Sequence, residues 1–364
     1  MSVRRVAVLF ATVMVVGAAC NAAAPTPTAT PAPVATATAA PAGCVVGVSW
    51  NNYQEERWAK WDEPALKAAI EAGGGTYISN DAASSEETQA SNIENLQTQG
   101  AQVLVVLAQN TSAVLPSVDA AIDAGIPVIA YDRLIESPRV LYTSFNNVEV
   151  GRMIAREIFA LVPSGNYVII KGNGADANSD FLRGGMEEII GAAVTAGDIN
   201  IVGETYTDNW TPSLAQTEME NFLTAANNDV QAVLSENDGM AGGVVAALEA
   251  QGLAGDVPVG GQDGDLAALN RVALGTQVVS VWKDARLLGD ATGKAAIALC
   301  SDPDPSHVAG TATFHTPGDN DVAGILLDPL PVTKDNLSAV LDAGWITEEV
   351  LCQGVAAGTV TGCP

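Results

Sequence analysis

From Cys44 onward the sequence alternates between short apolar, β-branched runs and longer amphipathic segments, and this limits the chain to few architectures. "CVVGVSW", "TYISN", "AQVLVVLA" and "IPVIAYD" read as strands. Between them, "EERWAKWDEPALKAAIEAG", "SEETQASNIENLQTQG" and "SAVLPSVDAAIDAG" read as helices, closed by glycines such as Gly73 and Gly100, with Ser84 or Ser85 placed to cap the second. Continuous apolar strands separated by helices imply a parallel sheet covered on both faces.

A second round follows "RVLYTSFNN". Its helices are "VEVGRMIAREIFALV", "SDFLRGGMEEIIGAAVTAG", "TPSLAQTEMENFLTAAN" and "MAGGVVAALEAQG"; its strands are "NYVIIKGN", "INIVGETYT", "VQAVLSEND" and "DVPVGGQD". Two successive α/β sets predict two similar lobes, and an internal echo agrees. "QVLVVLAQNTSAVLPSVDAAIDAGIPVIAYDR" and "QAVLSENDGMAGGVVAALEAQGLAGDVPVGGQD" both run strand, Asn, helix, Gly turn, Pro-containing strand, Asp, matching Asn110 with Asn237 and Asp132 with Asp263. Ligands of open parallel sheets bind beyond the carboxyl ends of the strands, so facing lobes would aim both Asp residues into one cleft.

The N-terminus is expected to stand outside the fold. Residues 1–20 combine a basic start, an apolar run too short to span a bilayer comfortably and small residues before Cys20, the pattern of a signal peptide with lipoprotein-type cleavage at Cys20. Residues 21–43 are Pro/Thr/Ala low complexity and read as an extended tether. An exported chain meets oxidising conditions, so Cys44, Cys300, Cys352 and Cys363 are candidates for two disulfides, with three pairings open. With only His307 and His315 and no CxxC, a transition-metal site is not expected.

The formal net charge of −26 repels nucleic acid and argues against anionic ligands and anionic lipid surfaces. A neutral or cationic ligand fits better. Polar residues recur at strand ends: Asn51 and Asn52, Asn110, Asp132 and Arg133, Asp176 and Asn178, Asn209 and Trp210, Asn237 and Asp238, Gln262 and Asp263, Trp282 and Lys283. One such residue is ordinary loop solvation; recurrence at nearly every strand end is less so. Asp accepts hydrogen bonds, Arg and Lys donate, Asn does both, and Trp offers an apolar face. That inventory suits a sugar, whose hydroxyls donate and accept together.

Other chemistries fit less well. Asp132 and Asp263 could be the carboxylate pair of a glycosidase, but Arg133 and Lys283 would keep them ionised, whereas a general acid needs a raised pKa. Gly172-x-Gly174-x-x-Ala177 resembles a dinucleotide loop yet lacks an acid roughly 20 residues further on at the next strand end. There is no Walker sequence and no GxSxG. Asp319 and Asp321 in "TPGDNDVAG" read as an acidic surface loop rather than a calcium site. No cofactor is expected.

"EERWAKW", "SEETQASNIENL", "VLVVLAQN", "IAYDRLI", "SFNNVEVG", "DNWTPSLA", "ENDGMAGG" and "GQDGDLAALNR", in this order and spacing, resemble the periplasmic sugar-binding proteins of ABC transport, of the ribose- and xylose-binding type. The resemblance runs from about Val45 to the region of Asp342. It implies two Rossmann-like lobes of the type I periplasmic binding protein fold joined by a three-segment hinge, with crossings near 142–144, 282–284 and 326–330. The lobes are then 44–143 plus 284–326 and 144–283 plus 327–364. It implies sugar contacts from Arg57, Asp132, Arg133, Asn178, Trp210, Asn237, Asp263 and Lys283, with Trp210 stacking on the ring. It implies no catalysis, a monosaccharide ligand with D-xylose expected first and glucose or arabinose as alternatives, an ABC permease as partner and a monomer; anchoring outside the cytoplasm by lipid on Cys20, with simple secretion as the alternative, is read from the N-terminal segment itself. A sugar-processing enzyme on the same plan is the rival, while a cytoplasmic repressor would need a basic helix-turn-helix where this chain has an export signal. The implied crossings put Cys44 and Cys300 at one pole, giving the pairs Cys44–Cys300 and Cys352–Cys363. The departures are "SWNNYQ", at the first strand end, and the tail bearing Cys352 and Cys363.

Overall fold

The computed structural model describes residues 43–363; the expected signal peptide, Cys20 and the tether up to residue 42 lie outside them. The first round of the chain forms β1 (Val45–Trp50), α1 (Glu63–Ala72), β2 (Thr76–Asp81), α2 (Glu86–Thr98), β3 (Val103–Val106), α3 (Leu115–Asp123), β4 (Val128–Tyr131) and β5 (Leu141–Phe145). The second forms α4 (Asn147–Leu161), β6 (Gly165–Lys171), α5 (Ala177–Ala196), β7 (Ile199–Tyr206), α6 (Pro212–Ala225), β8 (Ala232–Ser235), α7 (Asp238–Ala250), β9 (Val259–Asp263), α8 (Leu266–Leu274) and β10 (Val279–Trp282). The remainder gives α9 (Ala285–Leu299), β11 (Ala312–His315), β12 (Asp321–Leu327), β13 (Leu330–Val332), α10 (Ser338–Asp342) and α11 (Glu348–Leu351).

These strands make two sheets, ordered β11-β12-β5-β4-β3-β1-β2 and β13-β10-β9-β8-β6-β7. Every pairing is parallel except β11 with β12 and β10 with β13, each at a sheet edge. The architecture is the two-lobed α/β one expected. β3, β4 and β8 are buried along their whole length, which is why their sequences show no polar alternation. Helices cover both faces of the first sheet, so its apolar side chains divide into two cores, one around Trp50, Leu66 and Leu288 and one around Ile93, Leu104 and Val118. The second sheet packs Ile154, Ile169, Leu182, Met219 and Val244. A fourth, smaller core joins α8 to the C-terminal segment through Leu269, Val272, Leu337, Val340, Trp345 and Leu351.

The chain passes from the first sheet to the second between Phe145 and Asn147, returns between Trp282 and Ala285, and crosses again between Leu327 and Leu330. Disulfides join Cys44, just before β1, to Cys300, at the end of α9, and Cys352 to Cys363 within the C-terminal segment. Ser85, one of the two serines placed to cap α2, accepts a hydrogen bond from Thr88 N at 3.1 Å.

The first helical segment departs from a plain α-helix. Residues Trp58–Asp62 form one π-turn, with Glu63 N bonded to Trp58 O five residues back, before α1 begins. Pro64 falls in the first turn of α1 and has no N–H for the bond to Lys60 O that a continuous α-helix needs. The wider turn sets Arg57 and Asp62 on one side, five residues apart, which matters for the site.

Candidate functional site

The carboxyl ends of the strands of both sheets meet at one cleft. At its floor is a cavity of about 280 Å³ lined by Glu55, Arg57, Trp58, Asp132, Arg133, Asp176, Asn178, Trp210, Asn237, Gln262, Asp263 and Lys283. All eight side chains marked as ligand-binding candidates from the sequence stand on its wall.

Arg57 occupies the centre. Its Nε and Nη2 bind Asp62 Oδ2 and Oδ1 in a bidentate pair at 2.9 and 2.8 Å, which the π-turn makes possible. Tyr131 Oη donates to Asp62 Oδ1 at 2.5 Å and fixes the acid in turn. The free edge of the guanidinium, Nη1, then lies 3.1 Å from Asp132 Oδ2 in the first lobe and 3.4 Å from Asp263 Oδ1 in the second. One cation thus spans both lobes, and the two Asp residues matched by the internal echo face each other across it. Lys283 holds Asp263 from the other side at 2.8 Å.

Both Asp residues end strands in the left-handed region, with φ of 60° at Asp132 and 106° at Asp263. Asp tolerates the φ of Asp132 better than most side chains do, while that of Asp263 is sparsely populated and costly, and each turn carries its carboxylate out of the sheet. Asp132 is further fixed by Asn178, whose Nδ2 reaches over from the second lobe to Asp132 Oδ1 and O, both at 3.2 Å. Asn178 is itself oriented by Asn147 Nδ2 at 2.9 Å.

A second chain of contacts crosses the cleft through Arg133. Its Nε is 2.8 Å from Asp176 Oδ2 of the second lobe, its Nη2 donates to Glu55 Oε1 at 3.3 Å, and its Nη1 to Ala108 O at 3.1 Å. Asp176 also caps α5 through Asn178 N and accepts from Trp210 Nε1 at 3.2 Å. The Trp210 indole is laid over Gly172, where a Cβ would come within 2.2 Å of the ring. The glycines that mimic a dinucleotide loop therefore include one that makes room for an aromatic wall.

The wall carries four carboxylates against three cations, close to electrical balance. Burial works against the charge on Asp132, but Arg57, Lys283 and Arg133 hold its carboxyl below the usual range. Burial pushes Glu55 and Asp176 up, against the pull of Arg133. Such a site offers no home to a net charge but many donors and acceptors to a neutral polyhydroxyl molecule. Gln262 Oε1 is among the buried polar atoms that have no hydrogen-bond partner within the described residues, and it lies on the cavity wall, where a hydroxyl donor would satisfy it.

Glu55, Trp58, Asp176 and Gln262 also line the cavity without having been picked out as ligand contacts. Asp176 and Gln262 stand among the strand-end polar residues, so the signal was there. Glu55 and Trp58 precede a helix, and nothing in their local sequence separates them from solvated or core residues. Conversely, Asn110, the echo of Asn237, does not line the cavity; it accepts from Ser112 N and Ala113 N and donates to Glu86. Asn237 instead caps α7 through Met240 N while facing the cleft. Asp319 and Asp321 flank the β11–β12 turn beside exposed His315.

Two facing α/β lobes, three chain crossings and a polar cavity shared by both define a protein that encloses a small ligand between its halves. The chain belongs to the periplasmic binding protein domain family, which matches residues 46–303. It is 37% identical over 308 residues, 84% of this chain and 92% of the relative, to the D-xylose-binding periplasmic protein of Escherichia coli. Among solved structures, an ABC transporter solute-binding protein from Clostridium phytofermentans with bound β-D-glucose superposes with a TM-score of 0.77 at 27% identity, covering 84% of this chain and 99% of that one. A carbohydrate transporter solute-binding protein from Chloroflexus aurantiacus in complex with D-glucose gives 0.77 at 26% identity, covering 85% and 98%. Each of the three is a binding protein, and the two solved structures are solute-binding proteins of transporters.

Proposed function

We propose that this protein captures a free neutral monosaccharide, D-xylose in the first place, between its lobes outside the cytoplasm and hands it to an ABC permease. The observation that carries the reading is the Arg57 fork, which aims one guanidinium edge at a carboxylate of each lobe. A sugar hydroxyl at that point can donate to Asp132 or Asp263 and accept from Arg57 or Lys283, so only the closed protein satisfies it from both sides. In this reading Arg57, Asp132 and Arg133 bind from the first lobe, Asn178, Asn237, Asp263 and Lys283 from the second, and Trp210 stacks on the ring. The lobes divide at the three crossings, which act as the hinge, so the expected bounds at 143/144 and 326/327 move to the ends of β5 and β12, at Phe145 and Leu327. Similarity to the D-xylose-binding protein supports the choice of pentose; the two glucose complexes support a hexose as the second reading. Cys20 carries the lipid anchor, and the protein acts as a monomer.

Melting the protein in the presence of D-xylose, D-glucose, L-arabinose and D-ribose tests the ligand class. A specific sugar raises the midpoint by mass action, by about 2.7 kcal/mol of stabilisation at one hundred times its Kd. The expected order is xylose first, with the sugar recovered unchanged after incubation; a cleft whose midpoint no neutral monosaccharide moves is not a sugar site.

A further inference from the structure

The Asp263 carboxylate rests on a turn that is held from behind. The residue after it, Gly264, also has positive φ, 78°, and a Cβ there would lie 2.4 Å from the Trp282 ring. Its N–H donates to Asp238 Oδ2 at 3.0 Å and Ser280 Oγ at 3.1 Å, and Asp265 N donates to the same Asp238 oxygen at 3.1 Å. Asp238 is itself fixed by Ser280 Oγ at 2.5 Å and Gln277 Nε2 at 2.7 Å. The other end of the peptide, Gly264 O, accepts from Trp345 Nε1 at 2.6 Å. Trp345 belongs to the C-terminal segment, packed with Leu337, Val340 and Leu351 in the small core that Cys363 also enters.

The same indole reaches the other lobe. Its ring stacks on Trp61 with centroids 4.4 Å apart and planes 22° from parallel. Trp61 sits in the π-turn that places Arg57 against Asp62. The Arg286 guanidinium lies 5.2 Å from the Trp345 ring centroid and 5.7 Å from that of Trp61, and its Nη1 donates to Ala343 O at 3.0 Å. Asp284 holds Arg286 in place with contacts of 2.8 and 2.7 Å. Trp61, Arg286 and Trp345 all stand outside the cavity wall.

We propose that Trp345 is a positioning residue for the ligand site: its N–H fixes the turn bearing Asp263, and its stack on Trp61 joins the C-terminal segment to the first lobe when the lobes close. This rests on the sugar-binding reading of the cleft. A tryptophan needed only to fill the small core would require neither the bond to Gly264 nor a partner ring on the opposite lobe. Because Trp61 and Trp345 come from different lobes, their stack favours the closed state and so retains ligand without touching it.

The test compares Trp345→Phe, which keeps a ring and deletes the donor, with Trp61→Ala and Trp61→Phe, using D-xylose or whichever monosaccharide raises the wild-type melting point. Trp345→Phe is expected to weaken binding about tenfold, the worth of one buried hydrogen bond. Trp61→Ala is expected to speed sugar dissociation several-fold in stopped-flow traces with association little changed, and Trp61→Phe to restore it. The free-protein melting point of both Trp61 variants stays near wild type, which separates positioning from simple packing. Wild-type affinity and dissociation rate in Trp345→Phe and Trp61→Ala overturn the proposal. If Trp345→Phe does not fold, the Trp61 pair decides, because Trp61 is only half-buried. A wild-type protein that binds none of the sugars overturns the reading of the cleft and this one with it, a result distinct from variants that bind as well as wild type.

Discussion

Three carboxylates share the Arg57 guanidinium, and their loss has different consequences. Asp62 stands behind the cavity, wholly buried, and neutralises two of the three guanidinium nitrogens. Asp62→Ala leaves Nε and Nη2 of the buried guanidinium without a partner while Asp132 and Asp263 still face Nη1; at about 3 kcal/mol for breaking such a buried pair, a melting-point loss of roughly five degrees is expected in the sugar-free protein. Asp132 and Asp263 both line the cavity, and at Asp263 the φ of 106° makes Asn the fairer substitution, since Asn tolerates the left-handed region better than Ala. At Gly172 the argument is steric. Gly172→Ala drives a methyl group into the Trp210 ring at 2.2 Å and must displace the indole from the cavity wall. Sugar affinity is expected to fall by up to about tenfold, the loss of one good stacking contact, and calorimetry of the variant checks it.

At the scale of elements, most of the chain was legible, and what was missed shares a cause. Strands buried on both faces, such as β3 and β4, announce themselves by continuous apolar runs, and α2 by Ser85 and Gly100. Asp132 and Asp263 could be found because the same strand-to-Asp pattern recurs in both lobes. The π-turn was not legible, because a continuous helix and an interrupted one share the same apolar spacing, and Pro64 reads equally as a first-turn proline. Glu55 and Trp58 depend on that turn and were missed with it. The C-terminal segment was opaque because its role rests on one indole N–H meeting Gly264 O some 81 residues away in sequence, a pairing that leaves no local pattern. The disulfides offer a test at this scale. Loop closure makes Cys44–Cys300, spanning 256 residues, worth about 5 kcal/mol and Cys352–Cys363, spanning 11, about 3. Replacing Cys44 and Cys300 by Ser is expected to lower the melting point more than replacing Cys352 and Cys363. The second pair is expected to weaken sugar binding more for a given loss of stability, because the Trp345 segment is then less constrained. Paired thermal melts and titrations decide between these orders.

The whole molecule is strongly acidic, with 42 Asp and Glu against 16 Lys and Arg, and several of its carboxyls are buried. Burial pushes Asp238 up to about 7, partly offset by Ser280, Arg271 and Gln277 and reinforced by Asp263. Burial likewise raises Glu236 and Asp265. Each binds its proton more tightly folded than unfolded, so the stability it contributes is complete below an unfolded carboxyl pKa of about 4 and is lost as pH rises through the folded value. Asp132, whose carboxyl is lowered, acts in the opposite sense only below about pH 4. The melting point is therefore expected to be higher at pH 5.5 than at pH 8, and a scan in which it climbs steadily toward pH 8 contradicts these assignments. Contacts at the cleft rim, Gln109 Nε2 to Asn209 Oδ1 at 2.7 Å and Thr111 N to Ala175 O at 3.2 Å, join the lobes alongside the Arg57 and Arg133 pairs. A ligand held at Arg57, Asp132 and Asp263 adds to these contacts only when the lobes are together. Titration calorimetry with D-xylose, run on the wild type and on Asp263→Asn, probes that arrangement most directly. One sugar per chain is expected for the wild type and an affinity roughly 10- to 100-fold weaker for the variant, the worth of a hydrogen bond to a buried charge; equal affinity in the two proteins would contradict it.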